Sequence, residues 1–103
     1  MTTNINNFFP KPATGQTGQT LTVGATASAI TTPYTSLNVA AVFFDIQTAN
    51  VYVTFDGTTP STVNGNLLLV GEKYSWSNGI ISAAQFIRAA STDAVIHFSP
   101  LGI

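Results

Sequence analysis

Residues 51–65 read VYVTFDGTTPSTVNG. Val51, Val53 and Phe55 fall on one face of an extended chain and Tyr52, Thr54 and Asp56 on the other, the period of a half-buried β-strand. Asp56-Gly57 ends the run, Pro60 stiffens the excursion and Asn64-Gly65 closes it, each by ordinary turn chemistry. A calcium loop would need several carboxylates at alternating positions, and this one carries a single Asp before a series of hydroxyls. The stretch therefore reads as a strand and its connecting loop, whose Thr and Ser side chains suit a neighbouring backbone or a sugar equally.

The same signal recurs on both sides. In SLNVAAVFFDIQ, Val42, Phe44 and Ile46 oppose Val39, Ala41, Phe43 and Asp45. LTVGATASAI alternates weakly, LLLV is apolar on both faces, and KYSWS places Tyr74 and Trp76 together. AQFIRAA sets Phe86 and Arg88 against Ile87 and Ala89, and AVIHFS sets Ile96 and Phe98 against Val95 and His97. ISAAQFIRAA taken alone also suits one short helix; the alternation and the tight bracketing by turn residues favour a strand. Seven or eight short strands at 8–12-residue spacing, with no amphipathic helix to carry a parallel crossover, predict an all-β fold. The expected architecture is an antiparallel β-sandwich, jelly-roll-like or a flattened barrel.

Composition narrows the function. The chain has 103 residues and no Cys, which excludes a disulfide framework, a thiolate metal site and a thiol nucleophile. Only 7% of its residues are charged, against roughly a quarter in an average soluble protein. Lys11, Lys73 and Arg88 are dispersed, so no basic track exists for nucleic acid. The apolar runs fall far short of the ~20 residues of a membrane helix. MTTNINNFF has neither the positive region nor the apolar region of a secretory leader. A weakly charged, hydroxyl-rich surface suits a protein packed densely against copies of something, or a secreted β domain.

Residues 1–20, with Pro10, Pro12, Gly15 and Gly18, read as an extended N-terminal arm before a domain spanning 21–103. Phe8 and Phe9 either cover one end of the core or hook a neighbouring subunit. Phe43, beside Phe44, and Tyr52 mark an outward apolar face suited to self-association. Chemistry-bearing constellations are sparse. His97 is the single histidine and lies in a strand, no G-x-S-x-G elbow is present, and Asp45, Asp56, Glu72 and Asp93 sit near strand ends and turns. No catalytic residue, metal ligand or cofactor is expected. Tyr74 and Trp76, two apart, either fill the core or form a platform for a sugar ring.

ANVYVTFDGTTPSTVNGNLLLVGEKYSW followed by FIRAASTDAVIHFSPLG resembles small virion proteins of tailed bacteriophages, through the patterns V-x-V-T-F-D-G-x-x-P, G-x-x-L-x-x-G and I-R-A-x-x-x-D-A-x-I-H. The match covers roughly the C-terminal half. It implies a non-enzymatic β-sandwich in the virion, assembled in the host cytoplasm: a capsid decoration (cement) protein, commonly trimeric, clamping neighbouring major capsid subunits. Phe8, Phe9 and an open sheet edge would touch the shell, and Phe43 and Tyr52 would serve self-association. A carbohydrate-binding or adaptor module on a neck, tail or fibre is the alternative. A hydrolase would require a cleft centred on His97.

Overall fold

The computed structural model describes residues 11–13, 15–31, 34 and 39–102. Among these, the elements run β1 (Lys11–Pro12), β2 (Gln19–Val23), β3 (Val39–Gln47), β4 (Val51–Thr54), β5 (Asn66–Leu68), β6 (Lys73–Ser77), α1 (Asn78–Ala83), β7 (Gln85–Arg88) and β8 (Ala94–Gly102). All strand pairings are antiparallel. In the larger sheet β6 pairs β3 and β3 pairs β8, while β1 and β2 share the far edge of β8. The smaller sheet runs β5-β4-β7. Ser28 extends it beyond β7, exchanging both backbone hydrogen bonds with Phe86 at 2.8 Å. The fold is an all-β sandwich.

Period-2 alternation fills the space between the sheets. Val42, Phe44 and Ile46 of β3 and Ala94, Ile96 and Phe98 of β8 face Val51, Val53, Leu68 and Phe86 of the smaller sheet, all buried. Each large aliphatic or aromatic side chain so placed contributes about 1.5–3 kcal/mol of transfer free energy. Phe44 is central: its ring lies 5.3 Å from Tyr74, 4.7 Å from Trp76, 6.3 Å from Phe86 and 5.5 Å from Phe98. Val39 departs from the expected outward set and is buried. The β3–β8 register shifts between Val39 and Ala41. The extra residue of that bulge returns Val39 to the inner face.

The expected arm through residue 20 is corrected in its described part. Lys11 and Pro12 pair with Gly102 and Leu101, Ala13 is buried, and β2 begins at Gln19 opposite Phe98. Residues 11–13 and 19–23 therefore follow β8 as one interrupted strand. Between its two halves the chain loops out, with Gly15 at φ 75°, and Tyr34 Oη donates to the Thr17 carbonyl at 2.5 Å. This excursion accounts for Pro100 in the middle of β8. The Pro100 carbonyl accepts from the Ala13 N–H at 3.2 Å, so the proline nitrogen points the same way, toward backbone that has looped aside. The missing donor leaves no ladder partner unmatched.

Three connections carry the chain between sheets at one end of the sandwich, one of them residues 89–93 between β7 and β8. β3 passes into β4 through Thr48, held at φ 76°. β5 passes into β6 through residues 69–72, which are tied to β3 by the Gly71 N–H on the Ile46 carbonyl and the Ile46 N–H on the Glu72 carbonyl. The preferred strand in AQFIRAA is β7, and a helix of six residues precedes it. Ser77 caps that helix by accepting from the Ile80 N–H, and Ile81 anchors it in the core. No described helix is long and apolar enough to cross a membrane.

Candidate functional site

The 56–65 loop is closed by its own polar groups. Asp56 Oδ1 accepts from the Thr58 N–H at 3.1 Å and from Thr58 Oγ1 at 2.5 Å, which lowers the Asp56 pKa. Thr54 Oγ1 donates to the Thr58 carbonyl, and Asn64 Nδ2 reaches Thr58 Oγ1 and the Thr59 carbonyl. Pro60 is buried and Gly57 takes φ 84°. Between this loop and the ends of β4 and β5 lies an open depression of about 260 Å³, lined by Val53, Thr54, Phe55, Asp56, Asn64, Gly65 and Asn66. Among the described residues no group of three or more His, Asp and Glu could hold a metal.

Tyr74 and Trp76 point toward the core and are half-buried, pairing in register with Phe44 and Val42. Phe55 meets Trp76 edge-on at 4.8 Å and 75°, and Tyr74 is tilted 51° from Trp76. These rings therefore form a packed cluster and not a coplanar platform. They lie behind an open strand edge. The Ile46 N–H donates to the Glu72 carbonyl, so Ile46 points its backbone groups toward β6, and by the alternation of the ladder Phe44–Tyr74 and Val42–Trp76, two and four residues along, are hydrogen-bonded pairs. The backbone groups of Lys73 and Ser75 consequently point away from the sheet, with no partner strand among the described residues.

His97 lies exposed on the outer face of the larger sheet. Thr20, His97, Asp45 and Lys73 stand side by side across β2, β8, β3 and β6. Nδ1 of His97 is 3.0 Å from Thr20 Oγ1, and the Gln47 amide donates to Asp45 at 2.9 Å. The row lies on the outer face of a sheet, outside the depression beside the 56–65 loop. In the adjacent row Phe43 lies between Ser75 and Ser99.

The outer face of the smaller sheet has the opposite character. Leu67, Tyr52 and Ile87 form one cross-strand row. Leu67 is 47% exposed and Leu69, beyond it, 46%. Asn50 and Ala89 continue the face, the Ala89 N–H donating to the Asn50 carbonyl and the Val70 N–H to Asn50 Oδ1. On the other side Thr54 pairs with Gln85 and is itself buried, its Oγ1 tied to the Thr58 carbonyl of the 56–65 loop. None of these side chains carries a formal charge. Phe43 and Tyr52, expected on one outward face, thus occupy opposite outer faces, because the chain changes sheets between β3 and β4. Only Tyr52 has apolar neighbours on both sides. The row Leu67–Tyr52–Ile87 escaped sequence reasoning, since it exists only once register is known. Phe8 and Phe9 lie outside the described residues.

The geometry defines a β-sandwich with one apolar, uncharged outer face and one open strand edge backed by aromatic rings. No known protein family, curated protein or solved structure matches the chain.

Proposed function

We propose that the chain is a structural virion subunit of the capsid-decoration type, which binds the outside of a phage shell and clamps neighbouring major capsid subunits. The observation that carries this reading is the β6 edge. Its Lys73 and Ser75 backbone groups have no partner strand among the described residues, and Tyr74, Trp76 and Phe55 lie half-buried behind it. An extended shell segment laid along β6 gains main-chain hydrogen bonds and covers those rings. Phe8 and Phe9 supply a second contact. Several modest contacts on a trimer reinforce one another when geometry permits simultaneous engagement. Binding only the intact shell then stabilises it by mass action. Quantitative mass spectrometry of purified virions tests the reading: a copy number comparable to the major capsid protein supports it, and absence from the particle removes it.

A carbohydrate-binding or adaptor module on a neck, tail or fibre is the second reading. The depression beside Phe55 favours it, since Asp56, Asn64 and Asn66 converge there with hydrogen-bonding groups. Titration with a panel of mono- and disaccharides, followed by Trp76 fluorescence, separates it from the first. Saturable binding lost in Asp56→Ala supports it, and a flat titration rejects it.

A further inference from the structure

We propose that Asn64 is a site of spontaneous modification: with Gly65 it forms a chemical clock that turns residue 64 into a carboxylate and unlatches the 56–65 loop. The inference does not depend on the virion reading.

Asn-Gly occurs twice in the chain, at 64–65 and at 78–79. In such a pair the backbone nitrogen that follows reaches the asparagine side chain, because glycine has no Cβ to obstruct it. At residue 64 the Gly65 nitrogen attacks Cγ and the Cγ–Nδ2 bond breaks. Nδ2 leaves as ammonia, taking the Gly65 amide proton, and a five-membered cyclic imide remains. Water opens that ring at either carbonyl, giving aspartate or isoaspartate at residue 64.

The fold separates the two pairs. Asn78 is half-buried at the first position of α1, and its amide is held at both ends: Nδ2 donates to the Tyr34 carbonyl and Oδ1 accepts from Ser82 Oγ. Closing the ring there also needs a backbone rotation away from the helical ψ of about −42°, which undoes the first turn. Asn64 is exposed, lies outside helix and strand, and its side-chain bonds all leave from Nδ2. Gly65 is fixed by packing. A Cβ at that position would lie 3.2 Å from the Ser61 carbonyl oxygen and 3.3 Å from that of Val53, so the fold itself disfavours the side chain that would block the attack.

Asn64 is also the latch of its loop. Its Nδ2 donates to Thr58 Oγ1 at 3.0 Å and to the Thr59 carbonyl at 3.3 Å, while the Thr58 hydroxyl commits its own proton to Asp56 at 2.5 Å. A carboxylate at 64 has no proton to offer either oxygen, and it adds a second negative charge to a network that already ends on Asp56. Acceptors then face acceptors, and the loop opens around the depression that Asp56 and residue 64 both line.

The test follows the full chain through ageing at mildly alkaline pH, by chymotryptic peptide mapping with mass spectrometry and by amide hydrogen exchange. Asn64 should convert at least about tenfold faster than Asn78, the factor carried by one further hydrogen bond to break. Thr58→Val deletes the acceptor that holds Nδ2 and should speed conversion at 64 several-fold; Thr58→Ser should keep the native rate. Freshly made Asn64→Asp should show the same faster exchange across residues 58–64 that the aged native chain acquires. All three substitutions fall at exposed positions, and circular dichroism melts check that each variant folds. Conversion at 78 before 64 overturns the proposal, as does an Asn64 that outlasts an incubation in which a free peptide of the loop sequence converts. So does a Thr58→Val chain that ages at the native rate, or an Asn64→Asp loop that exchanges as the native one does.

Discussion

Phe44 meets Trp76 edge to face at 4.7 Å, and Trp76 in turn meets Phe55 edge to face at 4.8 Å. Three rings thus lead from the centre of the sandwich to its open side. A disturbance at the β6 edge is coupled to the core through this path, and Trp76 is the single tryptophan available to report it.

Phe44→Ala should cost about 3–5 kcal/mol, since it empties the site where rings from four other positions converge. In a domain whose whole stability is about 5–15 kcal/mol, much of the population then unfolds. Phe44→Leu, which keeps most of the volume, should lose clearly less. Urea titration followed by Trp76 emission measures both; equal losses would show that shape at this site matters little.

Thr48 holds φ 76°, a region that costs a β-branched residue strain and that Asn tolerates. Thr48→Asn should stabilise by about 1 kcal/mol, or about 4–8 °C in Tm for a domain near this size. Thr48→Gly should gain less, because glycine also enlarges the entropy of the unfolded chain. Calorimetric melts of the three proteins check the order.

Asp56 and Tyr34 predict losses at opposite ends of the pH scale. The hydroxyl and N–H of Thr58 stabilise the ionised Asp56 and lower its pKa. Its contribution is full above the unfolded value, about 3.9, and is lost as pH falls through the lower folded value. Asp56→Asn should flatten that acid limb. Burial raises the Tyr34 pKa, with Gln19 opposing it, so its contribution is full below the unfolded value near 10 and is lost as pH rises through the folded one. Tyr34→Phe should flatten the alkaline limb, at a cost of about 1 kcal/mol at neutral pH for the bond to the Thr17 carbonyl. Urea midpoints from pH 2 to 11 test both.

Asp93→Ala should be nearly silent. The Arg88–Asp93 contact of 2.6 Å joins side chains that are 29% and 53% exposed, and solvent screening leaves such a pair about 0–1 kcal/mol. A loss above 2 kcal/mol in urea titration would mean that the pair anchors the adjoining Gly24 segment, whose carbonyl accepts from the Arg88 N–H.

Alternation made the inner faces legible in the sequence. Val42, Phe44, Ile46, Val51, Val53, Ile96 and Phe98 all point where period 2 puts them. Three features were not legible, each because a non-local contact decides it. The bulge near Ala40 exists only against β8, so Val39 reads outward in sequence and is buried in the fold. Lys11 and Pro12 look like arm residues until Leu101 and Gly102 are placed beside them. α1 has no amphipathic repeat to announce it; a Ser77 cap and the buried Ile81 suffice for six residues. The candidate site was half legible for the same reason. Tyr52 was identifiable as outward-facing, whereas Leu67 and Ile87 become its neighbours only through the pairing of β4 with β5 and β7.

β8 is the strand on which β1, β2 and β3 all depend, and every one of them is made before it. During synthesis β1 and β2 emerge before the strand they pair with, and β3 has β6 on one side and an unfilled edge on the other. Until Ala94–Gly102 appears, water or a chaperone must occupy the place it will take. Assembly is thus timed by the chain itself: the larger sheet closes in one late step, and a ribosome stalled before residue 94 holds a polypeptide that lacks the strand joining β2 to β3 and the Ala94, Ile96 and Phe98 share of the core.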